Sequence, residues 1–114
     1  MTWTSGAAVA LGLGVILGAF GAHALKSRLD PESLGIWEKA VFYHFVHALG
    51  LLVVSRIPKT DGVGWLLVAG IVLFSGSLYL LATTGIRILG AVTPLGGLCF
   101  IAAWLLLAWR CYSK

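Results

Sequence analysis

The sequence predicts an all-α fold, an integral membrane four-helix up-down bundle, on three observations. The 114 residues are 60% apolar and only 11% charged. Roughly 40% of the surface of an unfolded chain of this scale stays exposed after folding, and here that surface would be mostly aliphatic, which suits lipid and not water. Three charge-free runs, Met1 to Leu25, Gly62 to Ile86 and Ile88 to Trp109, hold at least 22 residues each, against about 20 helical residues needed to cross a hydrocarbon core about 30 Å thick. Short polar connections rich in turn residues separate the runs, so successive helices are antiparallel neighbours. The chain reads as one domain, 1–114, with spans at about 4–25, 37–55, 63–84 and 94–111.

The first span carries Gly6, Ala10, Gly14, Gly18 and Ala22 at intervals of four. Small residues in that register make a groove along one face, and Gly14 with Gly18 forms a GxxxG pair that lets a second backbone approach closely. Gly21 extends the same small-residue character. The segment lacks the basic start of a secretory signal, although Ala22-His23-Ala24 imitates a cleavage site, so it is read as a span.

The connection "KSRLDPESLGIWEKA" contains a helix start. Asp30 can cap, Pro31 fits the first helical position because its missing N–H is not needed there, and Glu32 suits the positive end of the helix dipole. Helix 2 therefore begins near Pro31, with Trp37 at headgroup depth and an apolar stripe of Leu34, Trp37, Val41, Phe45, Ala48 and Leu52. Only Ala40 to Ser55 lies between Lys39 and Arg56. That is about 24 Å of helix, short for a span unless the flanking side chains snorkel.

"IPKTDG" is turn chemistry and precedes the third span, where Gly62, Ala69, Gly76 and Thr83 recur every seven residues as a packing seam. Thr93 as cap and Pro94 at the first position start the fourth, with Gly96 and Gly97 in its first turn. Cys99 and Cys111 lie twelve apart on that helix, a separation of about 18 Å that excludes a disulfide within the chain.

A net charge of +4 reads as anchoring at the membrane surface and not as a nucleic-acid partner. Lys26, Arg28, Lys39 and Arg87 lie on one side, and Arg56, Lys59, Arg110 and Lys114 on the other, so the positive-inside rule does not orient the chain.

The polar groups inside the spans collect in one half of the membrane. His23, Tyr43, His44, His47 and Tyr79 fall there, with Ser75 and Ser77 near mid-depth. Polar residues in spans usually face the bundle interior, and His44 and His47, three apart, point to the same general side of a helix. Tyr43 lies four residues before His47 and stacks along that face. A neutral imidazole has one donor and one acceptor and can bridge two partners, so the cluster is expected to tie helices together.

Other uses of the cluster have weaker support. A metal site from His23, His44 and His47 would lack any carboxylate or thiolate at that depth. Haem would need His23 facing His44 or His47 across a gap. A proton path would stop midway, because the opposite half of the membrane holds almost no polar residue. No phosphate loop, hydrolase nucleophile motif or paired acid is present, and "GAFGAH" follows no strand. No metal, cofactor or catalytic residue is assigned.

"GAFGAHAL" (18–25), "YHFVHALGLL" (43–52), "LFSGSLY" (73–79) and "TPLGG" (93–97) together resemble the membrane family called domain of unknown function 423. That family includes bacterial UPF0382 inner-membrane proteins and a eukaryotic transmembrane protein 256 branch. The resemblance covers nearly the whole chain and implies a four-span protein, of the inner membrane if bacterial, with no established activity. His44 stands where bacterial members can resemble a glutamine pattern.

The expectation is therefore a non-enzymatic, multi-pass cell-membrane protein. It would act through helix contacts with a second copy or another membrane protein, in a lipid bilayer. The alternative is a binding or transport protein that uses the His/Tyr/Ser cluster for a proton, a metal or a small lipophilic ligand.

Overall fold

A computed structural model describes residues 2–112. Lys114, counted above among the cations, lies outside the described residues. The described residues form four helices: α1, Trp3–Leu25; α2, Pro31–Val54; α3, Asp61–Thr84; and α4, Leu89–Tyr112. α1, α3 and α4 are long and apolar enough to cross a membrane. α2 is 24 residues long but carries Glu32, Glu38 and Lys39 in its first turns. It is placed by its neighbours.

The up-down order follows from which ends meet. Gly21, late in α1, packs against Trp37, early in α2, while Thr4, early in α1, donates a hydrogen bond to Ser55 after α2. Trp3 donates to Asp61 at the start of α3, and Ser77 in the second half of α3 is bonded to Thr93 near the start of α4.

α2 begins where the sequence places it. Asp30 Oδ1 accepts from the Ser33 backbone N–H at 2.7 Å, with Pro31 in the first turn. That hydrogen bond holds the Asp30 carboxyl below the usual carboxylate range. α3 ends on Gly85 at φ 71°, a left-handed position that glycine occupies without strain.

The least apolar helix is the most buried one. Trp37, Ala40, His44, His47, Ala48, Leu51 and Val54 of α2 are all buried, because α1 covers one side of α2 and α3 the other. This corrects the expected place of Trp37. It is only 4% exposed, donates from its indole N–H to the Leu17 carbonyl at 2.9 Å and lies 4.7 Å from the Tyr79 ring. Helix 2 packs on α1 from its second turn, so position 37 is already interior and not at the lipid headgroups.

α4 also differs from expectation. It starts at Leu89, with Pro94 inside it. Its first turn closes by bonds three residues apart, from Leu89, Gly90 and Ala91 N–H to Ile86, Arg87 and Ile88 carbonyls. The helix is thus nucleated before the proline, which removes one backbone bond near the end where helices tolerate it best. Thr93 does not cap; its hydroxyl bonds the Leu89 carbonyl and Ser77.

The later glycines of the α1 seam are filled from within the chain. A Cβ at Gly14 would lie 2.9 Å from the Phe45 ring, and one at Gly18 would lie 3.4 Å from Val41. At Gly21 it would fall 2.3 Å from the Trp37 indole. The seven-residue seam of α3 is the contact only at its start: a Cβ at Gly62 would meet Leu106 of α4 at 3.5 Å, whereas one at Gly76 would approach only the Ile71 carbonyl of its own helix, at 4.0 Å, and Thr83 is exposed. α3 and α4 also meet at Gly70 against the Phe100 ring and at Gly96, whose Cβ would lie 2.3 Å from the Phe74 backbone nitrogen. Gly97 makes ordinary contact with the Phe74 ring at 3.9 Å. A π-helical turn over Ile71–Gly76 explains the shift, since its extra residue rotates everything beyond it.

Candidate functional site

His44 is the structural centre of the polar cluster. It is 4% exposed. Its Nε2 lies 2.8 Å from the Ala10 carbonyl of α1 and its Nδ1 lies 2.9 Å from the Tyr79 hydroxyl of α3. A carbonyl only accepts, so Nε2 carries the proton, and in the neutral ring Nδ1 accepts from Tyr79 O–H. One side chain thereby ties three helices.

His47 uses the opposite nitrogen. Its Nδ1–H donates to the Tyr43 carbonyl one turn back at 2.8 Å. The ring lies flat on Phe100 of α4, with centroids 3.5 Å apart and planes 9° apart. Tyr43 lies parallel to the His47 ring at 6.0 Å and meets Phe74 at 4.5 Å. Its side chain reaches the bundle surface, at 36% exposure, so it flanks the cluster instead of sitting inside it.

The serines cross between helices as well. Ser75, fully buried, donates to the Ala40 carbonyl of α2 at 2.8 Å. Ser77 bonds Thr93 of α4 and the Phe74 carbonyl. Such interhelical bonds are worth about 0.6–2 kcal/mol each in a membrane. Among the described residues, no buried side-chain nitrogen or oxygen lacks a partner.

His23 does not join this cluster. It is exposed, because α1 faces α2 through Gly21 and Leu25, both buried, and the position midway between them in sequence points the other way. Among the described residues, no three His, Cys, Asp or Glu side chains converge in a way that could hold a metal.

The polar cluster borders a feature that sequence reasoning missed. A groove of about 870 Å³ runs between α1 and α3 over α2. Its walls include Val9 and Leu13 of α1 and Val68 and Val72 of α3, and His44 and Leu51 lie on its floor. Val9 is 54% and Val72 62% exposed, so the rims are open at the side of the bundle. One end is bridged by Trp3, which donates to Asp61 at 2.8 Å and lies edge-on to Trp65 at 5.1 Å. Nothing in the period of α1 or α3 announces this groove. It arises because both helices rest on α2 without closing over it.

A family model described as "Protein of unknown function (DUF423)" matches residues 17–97. The chain is 55% identical over 95 residues to the UPF0382 membrane protein SH2409 of Staphylococcus haemolyticus, covering 79% of this chain and 78% of that one. It is 52% identical over 102 residues to the UPF0382 membrane protein YwdK of Bacillus subtilis, covering 83% of each. A UPF0382 membrane protein of Staphylococcus aureus is 46% identical over 95 residues, with coverage of 79% and 78%. No solved structure matches the chain.

Proposed function

The chain belongs to the DUF423 family of multi-pass membrane proteins, and from that premise we propose that it acts by binding and not by catalysis, holding a lipophilic molecule in the groove between α1 and α3. The observation that carries this reading is the groove itself. Its volume of about 870 Å³ falls in the range of about 300–1,000 Å³ typical of small-molecule sites. It combines aliphatic walls with a few fixed polar groups, as such sites do, and it opens sideways toward the bilayer.

The contact reading has less to stand on. Of the packing glycines, Gly14, Gly18, Gly21, Gly70, Gly96 and Gly97 are occupied by Phe45, Val41, Trp37, Phe100 and Phe74 of the same chain. His44, with both ring nitrogens bonded, serves as a rigid floor and not as a ligand donor.

The test is to purify the protein in mild detergent, extract it and identify bound small molecules by mass spectrometry. A lipophilic compound at about one per chain, lost when Val72→Trp or Val9→Trp fills the groove from its rim, is the expected result. A chain that carries no such compound, and whose thermal unfolding is unchanged by added lipophiles, would remove the reading.

A further inference from the structure

The geometry points to an occupant of definite chemistry: a single-chain alcohol, with its hydroxyl at the Thr4–Ser55–Asp61 end of the groove and its hydrocarbon tail running toward Leu13 and Val72. This deepens the groove reading above and rests on it. From Thr4 to Leu13 and from Asp61 to Val72 the walls extend nine and eleven residues, about 14–17 Å of helix. That is about half of a hydrocarbon core about 30 Å thick, the depth of one leaflet. Among the described residues, the polar groups of the lining stand at one end and on the floor, so a tail lies along the walls and one head meets the mouth.

The mouth selects an uncharged head. Among the described residues, Asp61 is the only acidic or basic side chain lining the groove apart from His44. The N-terminal ends of α1 and α3, worth about half a positive charge each, roughly balance the Asp61 carboxylate, so an anionic head would gain no net attraction there and would lose its hydration. A cationic head would face the N-terminal ends of both α1 and α3, whose dipoles carry about half a positive charge each.

A hydroxyl suits the remaining groups. Thr4 donates to Ser55 at 3.0 Å, and Ser55 donates in turn to the Leu52 carbonyl. This leaves lone pairs on Thr4 Oγ1 and on the Asp61 carboxylate to accept from a ligand O–H. Either hydroxyl can rotate to donate back, because hydroxyl hydrogens are free rotors.

The test titrates hexadecan-1-ol, palmitate and hexadecylamine, which share a chain length, into the detergent-purified full-length chain, with native mass spectrometry counting bound molecules. The alcohol is expected to bind at one per chain and at least about fivefold more tightly than either charged analogue. Thr4→Val, which keeps the shape and removes the hydroxyl, should weaken the alcohol by about 2–10-fold, the equivalent of one neutral hydrogen bond. Asp61→Asn, which keeps an acceptor for Trp3, should narrow the gap between alcohol and palmitate. Palmitate or the amine binding as tightly as the alcohol, or no effect of Thr4→Val, would overturn the assignment of the head and leave the groove reading standing. Failure of all three compounds to bind, in wild type and Val72→Trp alike, would overturn the groove reading itself.

Discussion

Removing the hydrogen bond between His44 and Tyr79 tests whether the buried imidazole holds the bundle together. The two groups lie 2.9 Å apart and the second ring nitrogen holds α1 through Ala10. Tyr79→Phe removes one interhelical bond and leaves the ring shape, so it should cost about 0.6–2 kcal/mol. His44→Leu removes two bonds and strands the Tyr79 hydroxyl, which adds about 1–3 kcal/mol for an unpaired buried group. The Ala10 carbonyl suffers less, because it lies within helix α1 and keeps its own backbone partner. In the double variant no orphaned hydroxyl remains, so its loss should be smaller than the sum of the singles by about 1 kcal/mol. The assay is equilibrium unfolding of all four proteins in mixed micelles, with the cycle isolating the pair. Strictly additive losses would refute the bond. Losses near zero for His44→Leu would refute the wider claim that this residue ties three helices.

Two further outcomes follow from the geometry. Gly96→Ala places a Cβ 2.3 Å from the Phe74 nitrogen and 2.7 Å from its Cα, and backbone cannot rotate away, so unfolding in micelles should show a loss of at least about 1–3 kcal/mol; Gly76→Ala, where the nearest atom is 4.0 Å away, should be within about 0.5 kcal/mol of wild type. Because the Asp30 carboxyl is held below its usual range by Ser33, its contribution is present above the unfolded carboxylate pKa and disappears as pH falls through the lowered folded value. Thermal unfolding at pH 7 and pH 3 should therefore converge for wild type and Asp30→Asn in acid only, since asparagine caps without titrating; parallel curves would contradict this.

Much of the architecture was legible because it depends on local chemistry. Run length marked α1, α3 and α4, and Asp30 with Pro31 marked the start of α2. The spacing of Gly14 and Gly18 marked a close approach, although it could not say that Phe45 and Val41 would fill it. Antiparallel counting puts His44 and Tyr79 in one half of the membrane, and the structure brings them together.

What escaped depends on rotation and on neighbours. Two π-helical turns, Gly21–Leu25 and Ile71–Gly76, leave no periodic signature. The second turns Gly76 and Thr83 away from α4, while Gly70, ahead of that turn, keeps its contact with Phe100. His23 shares depth with His44 but lies on the outer face of α1. Tryptophan is common at membrane interfaces, whereas the Trp37 indole is bonded to Leu17 inside the bundle. The groove is a property of three helices at once, and no single stretch of sequence encodes it.

The most direct test of the central claim, that α2 turns its imidazoles inward to fixed partners, is nitrogen NMR of ring-labelled histidine in a bilayer at neutral pH. Opposite tautomers are expected, with the proton on Nε2 of His44 and on Nδ1 of His47, and His23 alone exchanging with water. The same tautomer at both buried positions, or rapid proton exchange at His44, would contradict it.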